Sequence, residues 1–187
     1  MNILKIFTYV GCSQDYWDHI MTYPSNEDSV AVKGYGVDDS NPENAERQFK
    51  ATAEYYGNER KNHLNQFMIS FTRETAPDAE TSMAINEEFL KPLTDDHLIL
   101  AGLHKKHTER SDYHMHNYVS TTNLRNGKML NAKNENNFPM AQHLANITQQ
   151  EVLLVIEKRK PNSLEIDHSR KPYEKALNRK RTRNNYK

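Results

Sequence analysis

A single cysteine, Cys12, stands in 187 residues, so no internal disulfide can staple the chain, and a reducing, cytoplasmic setting is expected. Long hydrophobic runs are missing too. Apolar residues make up 36% of the chain, and the run Val152-Leu-Leu-Val-Ile156 is far shorter than the ~20 residues that cross a bilayer. No membrane insertion is therefore expected. The first residues, Met1-Asn-Ile-Leu-Lys-Ile-Phe7, lack the charged start, apolar stretch and small-residue cleavage site of a signal peptide. Internal repeats and long low-complexity tracts are also absent. Net charge is zero, yet its distribution is uneven: Glu157 to Lys187 holds 11 Lys/Arg against 4 Asp/Glu, leaving 14 against 21 in the remainder. A basic tail on an acidic body points to contact with a polyanion, although a solvated basic helix has the same composition.

The length suits one domain with one core, residues 1–187, of which 158–187 form a basic helical tail. Strands are predicted over Asn2–Val10, Ser29–Gly36, His63–Thr72, His97–His104 and Tyr113–Thr121 from alternating apolar residues. Helices are predicted from Ser13 to Met21, from Asn41-Pro-Glu to Gly57, and from Asp78 through Leu90. Further helical segments are expected at Phe138–Leu144, Thr148–Lys158 and Lys171–Lys180. Parallel crossover signals are not evident, so the fold class expected is α+β with a largely antiparallel sheet.

The most informative stretch is His107-Thr-Glu-Arg-Ser-Asp-Tyr-His114-Met-His116. Residues two apart on a strand share a face, so His114 and His116 present their imidazoles together. His107, returning from the neighbouring strand or turn, would complete a three-nitrogen site that leaves coordination positions open for a substrate oxygen. His104 and His63 are further imidazoles, of a kind more often structural than ligating.

These residues resemble the signature of conjugative relaxases, closest to their VirD2-like or MobP-like branch. The resemblance is carried by His107-Thr-Glu109, His114-x-His116, Asn123 and Gly127-Lys128. Upstream, Asp39-Ser-Asn-Pro-Glu-Asn-Ala45 with Ala51-Thr-Ala-Glu-Tyr-Tyr-Gly57 is similar to the family's first long helix. His63-Leu-Asn-Gln-Phe-Met-Ile-Ser-Phe71 is similar to its strand motif. The similarity runs from about Lys5 to Lys128. Met115 takes the middle place of a histidine–hydrophobic–histidine motif. The chain is short for a complete relaxase, so a further C-terminal region is an open expectation.

The resemblance implies a five-stranded antiparallel palm with flanking helices and a helical C-terminal region. It implies a divalent ion, Mn²⁺ or Mg²⁺, on His107, His114 and His116, and nicking and rejoining of one DNA strand at a transfer origin through a covalent 5′-phosphate intermediate. Glu109 falls where the family has an acidic residue that would orient a ligand imidazole. Asp112 falls where relatives often carry another histidine. The family's attacking tyrosine aligns with His19, flanked by Tyr16 and Tyr23; register favours His19 and chemical precedent a tyrosine, and the order expected is His19 narrowly ahead of Tyr23, with Tyr16 third. Lys105, Lys106, Arg110, Arg125 and Lys128 are candidate phosphate contacts, and Trp17, Tyr35, Tyr55, Tyr56 and Tyr118 could stack on bases or fill the core. Partners implied are single-stranded and hairpin DNA at the origin, relaxosome accessory proteins and a coupling protein. A rolling-circle initiator, a non-catalytic DNA-binding accessory protein and a small-substrate phosphoesterase are the competing readings.

Overall fold

The computed structural model describes residues 1–9, 21–25, 28–105, 107–108, 111–130 and 134–159. The strands are β1 (Asn2–Tyr9), β2 (Ser29–Tyr35), β3 (Leu64–Ser70), β4 (Ile99–Lys105), β5 (Tyr113–Ser120) and β6 (Val152–Arg159). The helices are α1 (Pro42–Tyr55), α2 (Ala79–Thr94) and α3 (Asn134–Thr148), with a 3₁₀ turn at Tyr23–Ser25.

One sheet carries all six strands in the order β2-β4-β5-β3-β1-β6. It is mixed, which corrects the expected five-stranded antiparallel sheet. Strands β2, β4, β5, β3 and β1 do pair antiparallel, but β6 adds to β1 in parallel, from Asn2↔Val152 to Tyr9↔Arg159. This edge strand comes from the segment predicted as a helix over Thr148–Lys158. Gln149 takes a left-handed conformation (φ 52°) directly after α3, and the chain leaves the helix there. The β-branched run that follows then finds a pairing edge on β1. Lys158 and Arg159 consequently belong to a strand and not to a helical tail; residues 160–187 lie outside the described residues.

Helix starts follow the sequence closely. Asn41 caps α1 by accepting a hydrogen bond from the Glu43 N–H at 2.9 Å, with Pro42 in the first turn, and Asp78 caps α2 by accepting from the Thr81 N–H at 2.7 Å. Helices α2 and α3 cover one sheet face, burying Phe89, Leu90, Met140 and Leu144 against Leu4, Ile6, Phe67, Ile69, Leu103 and Met115. Across that interface Asn86 and Asn117, both fully buried, exchange two amide hydrogen bonds of 2.9 and 2.7 Å. This satisfies polar groups that would be costly if stranded.

Helix α1 lies on the opposite face. Its Ala45 and Phe49 pack with Phe7, Tyr9, Leu64, Leu98, Leu100 and Tyr118, which occupy one end of the strands. The other end of that face holds the histidines. Among the described residues no helix is long and apolar enough to cross a membrane.

Candidate active site

Register across β4 and β5 builds the site. His104 pairs with His114 and Gly102 with His116, so His104, His114 and His116 all project from one face. The ring centroids of His104 and His116 are 4.5 Å apart, and those of His114 and His116 are 5.9 Å apart. His104 and His116 are buried, and His114 is half-buried.

Tyr23 completes the group. Its ring centroid lies 5.0 Å from that of His104 and 4.9 Å from that of His116. The 3₁₀ turn carrying it can settle on the sheet because β4 has glycine beneath it. A Cβ on Gly102 would lie 2.2 Å from the Pro24 carbonyl oxygen.

Hydrogen bonds orient two of the rings. His104 Nε2 donates to the Pro24 carbonyl oxygen at 3.2 Å, which leaves the lone pair on Nδ1. Burial holds the His104 pKa below its ordinary value, against the opposing pull of the Pro24 carbonyl and Asp28, so the ring is neutral near pH 7. His116 Nδ1 meets the Gln66 amide at 2.9 Å, and the Gln66 Oε1 accepts from the Tyr9 hydroxyl at 2.5 Å. Gln66 reaches His116 diagonally from β3, where its direct partner is Tyr118.

His107 stands apart from this group. Strand β4 ends two residues earlier, and His107 Nδ1 lies 2.6 Å from Asp112 Oδ1 with its side chain 79% exposed. Arg73 fixes the same loop, its Nε donating to Asp112 Oδ2 at 2.8 Å and its Nη2 to the Thr108 carbonyl at 2.5 Å. The Arg73 guanidinium holds the Asp112 pKa below the usual carboxylate value. Thus the imidazoles that come together are His104, His114 and His116.

As they stand, no three His, Cys, Asp or Glu side chains among the described residues close on a common ion-holding point. The donor chemistry nevertheless fits one. With metal–nitrogen bonds near 2.1 Å, imidazoles sharing an ion stand with centroids roughly 4.5–5 Å apart; His104 and His116 are at 4.5 Å and His114 and His116 at 5.9 Å.

The other expected site residues scatter. His19, Tyr16, Glu109, Lys106, Arg110 and Trp17 lie outside the described residues. Lys105, exposed at the end of β4, places its ammonium 5.9 Å from the Tyr113 ring centroid, and strand alternation turns both side chains to the sheet face opposite the imidazoles. Arg125 and Lys128 follow the far end of β5, roughly 20 Å along the strand from His114. Arg125 pairs there with Asp96 at 2.7 Å. Tyr118 is core, Tyr56 donates its hydroxyl to the Leu124 carbonyl at 2.5 Å, and Tyr55 is 82% exposed. Tyr35 is partly buried under Lys33, and burial together with Glu87 pushes its pKa up to about 12. His63 is bonded to the Glu59 carbonyl at 2.8 Å. Sequence reasoning passed over Tyr9 and Gln66; the available signal was a glutamine inside the otherwise mostly apolar strand Leu64-Asn-Gln-Phe-Met-Ile-Ser70.

No curated protein matches the chain significantly. Among solved structures it is similar to the conjugative relaxase TrwC in complex with oriT DNA, in two forms. The metal-bound form has 12% sequence identity and a TM-score of 0.48, and the metal-free form 13% and 0.46; each alignment covers 78% of this chain and 69% of the other. The profile of the MobA/VirD2-like relaxase nuclease domain matches residues 19–153, well over half of the chain. The protein therefore belongs to the MobA/VirD2-like relaxase family and is a DNA relaxase nuclease.

Proposed function

We propose that this domain nicks one strand of DNA at a transfer origin, attacking the scissile phosphate with Tyr23 beside a divalent ion, Mn²⁺ or Mg²⁺, held by His104, His114 and His116. The observation that carries the reading is the placement of the Tyr23 ring against two of three imidazoles on one sheet face. We take His104 in the place expected of His107: cross-strand register aligns it with His114, whereas the exposed His107 is bonded to Asp112, which Arg73 also holds.

When bound, the ion neutralises charge on the phosphate oxygens and polarises the phosphorus. The protein supplies the rest. Tyr23 Oη forms a bond to phosphorus as the bond to the 3′ oxygen breaks, and in net balance the phenolic proton leaves on the 3′ hydroxyl. The 5′ phosphate stays on the protein as a tyrosyl diester, and the reverse step rejoins the strand. Burial keeps His104 neutral and so able to donate a lone pair. The basic segment 160–187 adds affinity for duplex or hairpin DNA beside the nick.

The test is a denaturing gel and mass spectrometry on the protein incubated with Mn²⁺ and a labelled single-stranded origin oligonucleotide. An acid-stable adduct on Tyr23 is expected, absent from Tyr23→Phe. His104→Ala should lose nicking and Mn²⁺ binding together, whereas His107→Ala should keep both. An acid-labile adduct on His19, retained by Tyr23→Phe, would overturn the choice of nucleophile. Retained Mn²⁺ binding in His104→Ala would overturn the choice of ligand.

A further inference from the structure

The Tyr9–Gln66–His116 chain is buried throughout, with Tyr9 1%, Gln66 4% and His116 5% exposed. Its order fixes who donates. With the Tyr9 hydroxyl donating to Gln66 Oε1, the amide turns its Nε2 toward His116 Nδ1. An amide nitrogen only donates, so Nδ1 accepts, and the proton of a neutral imidazole rests on Nε2. In that tautomer the nitrogen left for an ion carries a hydrogen in place of a lone pair. Turning the amide by 180° reverses the chain with almost no heavy-atom movement, since oxygen and nitrogen are nearly isosteric. Gln66 Nε2 then donates to the phenol oxygen, Oε1 accepts from Nδ1–H, and the Nε2 lone pair of His116 is released.

We propose that Gln66, anchored by Tyr9, is a positioning residue that sets which nitrogen of His116 carries the proton, and thereby how tightly the imidazole cluster holds a divalent ion. The inference rests on the metal reading above and refines it. A glutamine can serve both tautomers where a carboxylate would fix only one, so ion binding at this site is coupled to an amide flip. The binding free energy is reduced by the difference between the two arrangements.

The experiment compares the full wild-type chain with Gln66→Leu, Gln66→Glu and Tyr9→Phe. Mn²⁺ affinity is measured by titration calorimetry, and the His116 tautomer by long-range proton–nitrogen correlation in the ion-free protein. Gln66→Leu, which can neither donate nor accept, is expected to weaken Mn²⁺ binding by about 10–100-fold. Gln66→Glu, which accepts only, is expected to bind at least as tightly as wild type and to move the His116 proton to Nδ1. Tyr9→Phe keeps the ring packing and loosens the amide, so a smaller loss is expected; it decides the matter if Gln66→Leu does not fold. Wild-type affinity in Gln66→Leu, or an unmoved tautomer in Gln66→Glu, would overturn the proposal while leaving the metal site standing. No Mn²⁺ binding by the wild-type chain would instead overturn the metal reading, and the proposal with it.

Discussion

His97 and His104 flank the same apolar strand and are both buried, His97 at 5% and His104 at 2% exposure. His97 Nδ1 donates to the Ser120 carbonyl at 2.8 Å, tying the start of β4 to the end of β5. Burial holds its pKa below the ordinary 6.5, and the Ser120 carbonyl and Asp96 only partly offset this. The unfolded chain therefore binds the proton more readily than the folded one. The stability gained by keeping His97 neutral is fully present above about pH 6.5 and is lost as pH falls from there toward the depressed folded value. His104 contributes with the same sign. In the ion-free protein, denaturant unfolding at pH 7.5 and 5.5 should show lower stability at the acid end, each histidine adding at most about 1.4 kcal/mol per pH unit. His97→Gln should flatten this dependence, and an undiminished slope would show that His97 is not its source. At this scale the sequence revealed that His114 and His116 share a face, since a spacing of two needs only a strand. It named His104 but did not reveal its place opposite His114, because that pairing is set by hairpin register. The residues between the two strands leave that register open to sequence reasoning.

The seating of the Tyr23–Ser25 turn on β4 shows what one element requires of another. Gly102 faces the Pro24 backbone, where an added Cβ would come within 2.2 Å of the carbonyl oxygen and 2.7 Å of Cα. Neither atom is the movable end of a side chain, so Gly102→Ala must lift the turn, and Tyr23 with it, from the imidazoles. Overpacking of this kind costs about 1–3 kcal/mol. The chain should stay folded yet lose most adduct formation, read as a modest fall in Tm beside a large fall in nicking. Unimpaired nicking would mean that Tyr23 need not sit where the turn places it. The elements themselves were unevenly legible. Caps at Asn41 and Asp78 announced α1 and α2, because an N-cap is a local device written in adjacent residues. Val152-Leu-Leu-Val-Ile156 announced burial without period, which a short helix and a doubly covered strand share. Only the open edge of β1, 150 residues upstream in register, decides for β6.

Across the whole molecule, a neutral total conceals opposed regions, with 11 basic and 4 acidic residues from Glu157 onward against 14 and 21 before it. An acidic body should repel DNA at long range, yet the proposed site at the imidazole cluster requires a phosphate to come close. A basic segment attached at the end of β6 can resolve that conflict by supplying cations that the body lacks. Strand β6 also fixes where the segment may be cut. Arg159 is the last residue paired with β1, so a truncation after Lys160 keeps every strand of the sheet. Residues 161–187 hold 8 of the Lys and Arg residues against 3 acidic ones. Each phosphate contact contributes roughly 0.7 to the salt slope on single strands and 0.9 on duplex. Losing even three contacts should thus lower the log–log slope of origin binding by about 2–3, with Kd at low salt rising accordingly. Nicking at saturating oligonucleotide should persist, since Tyr23 and the three histidines remain. Filter binding of a hairpin origin between 50 and 200 mM salt would measure the slope. An unchanged slope after truncation would assign the affinity to the body, against its charge; a lost nicking activity at saturation would place part of the reaction chemistry in the segment itself.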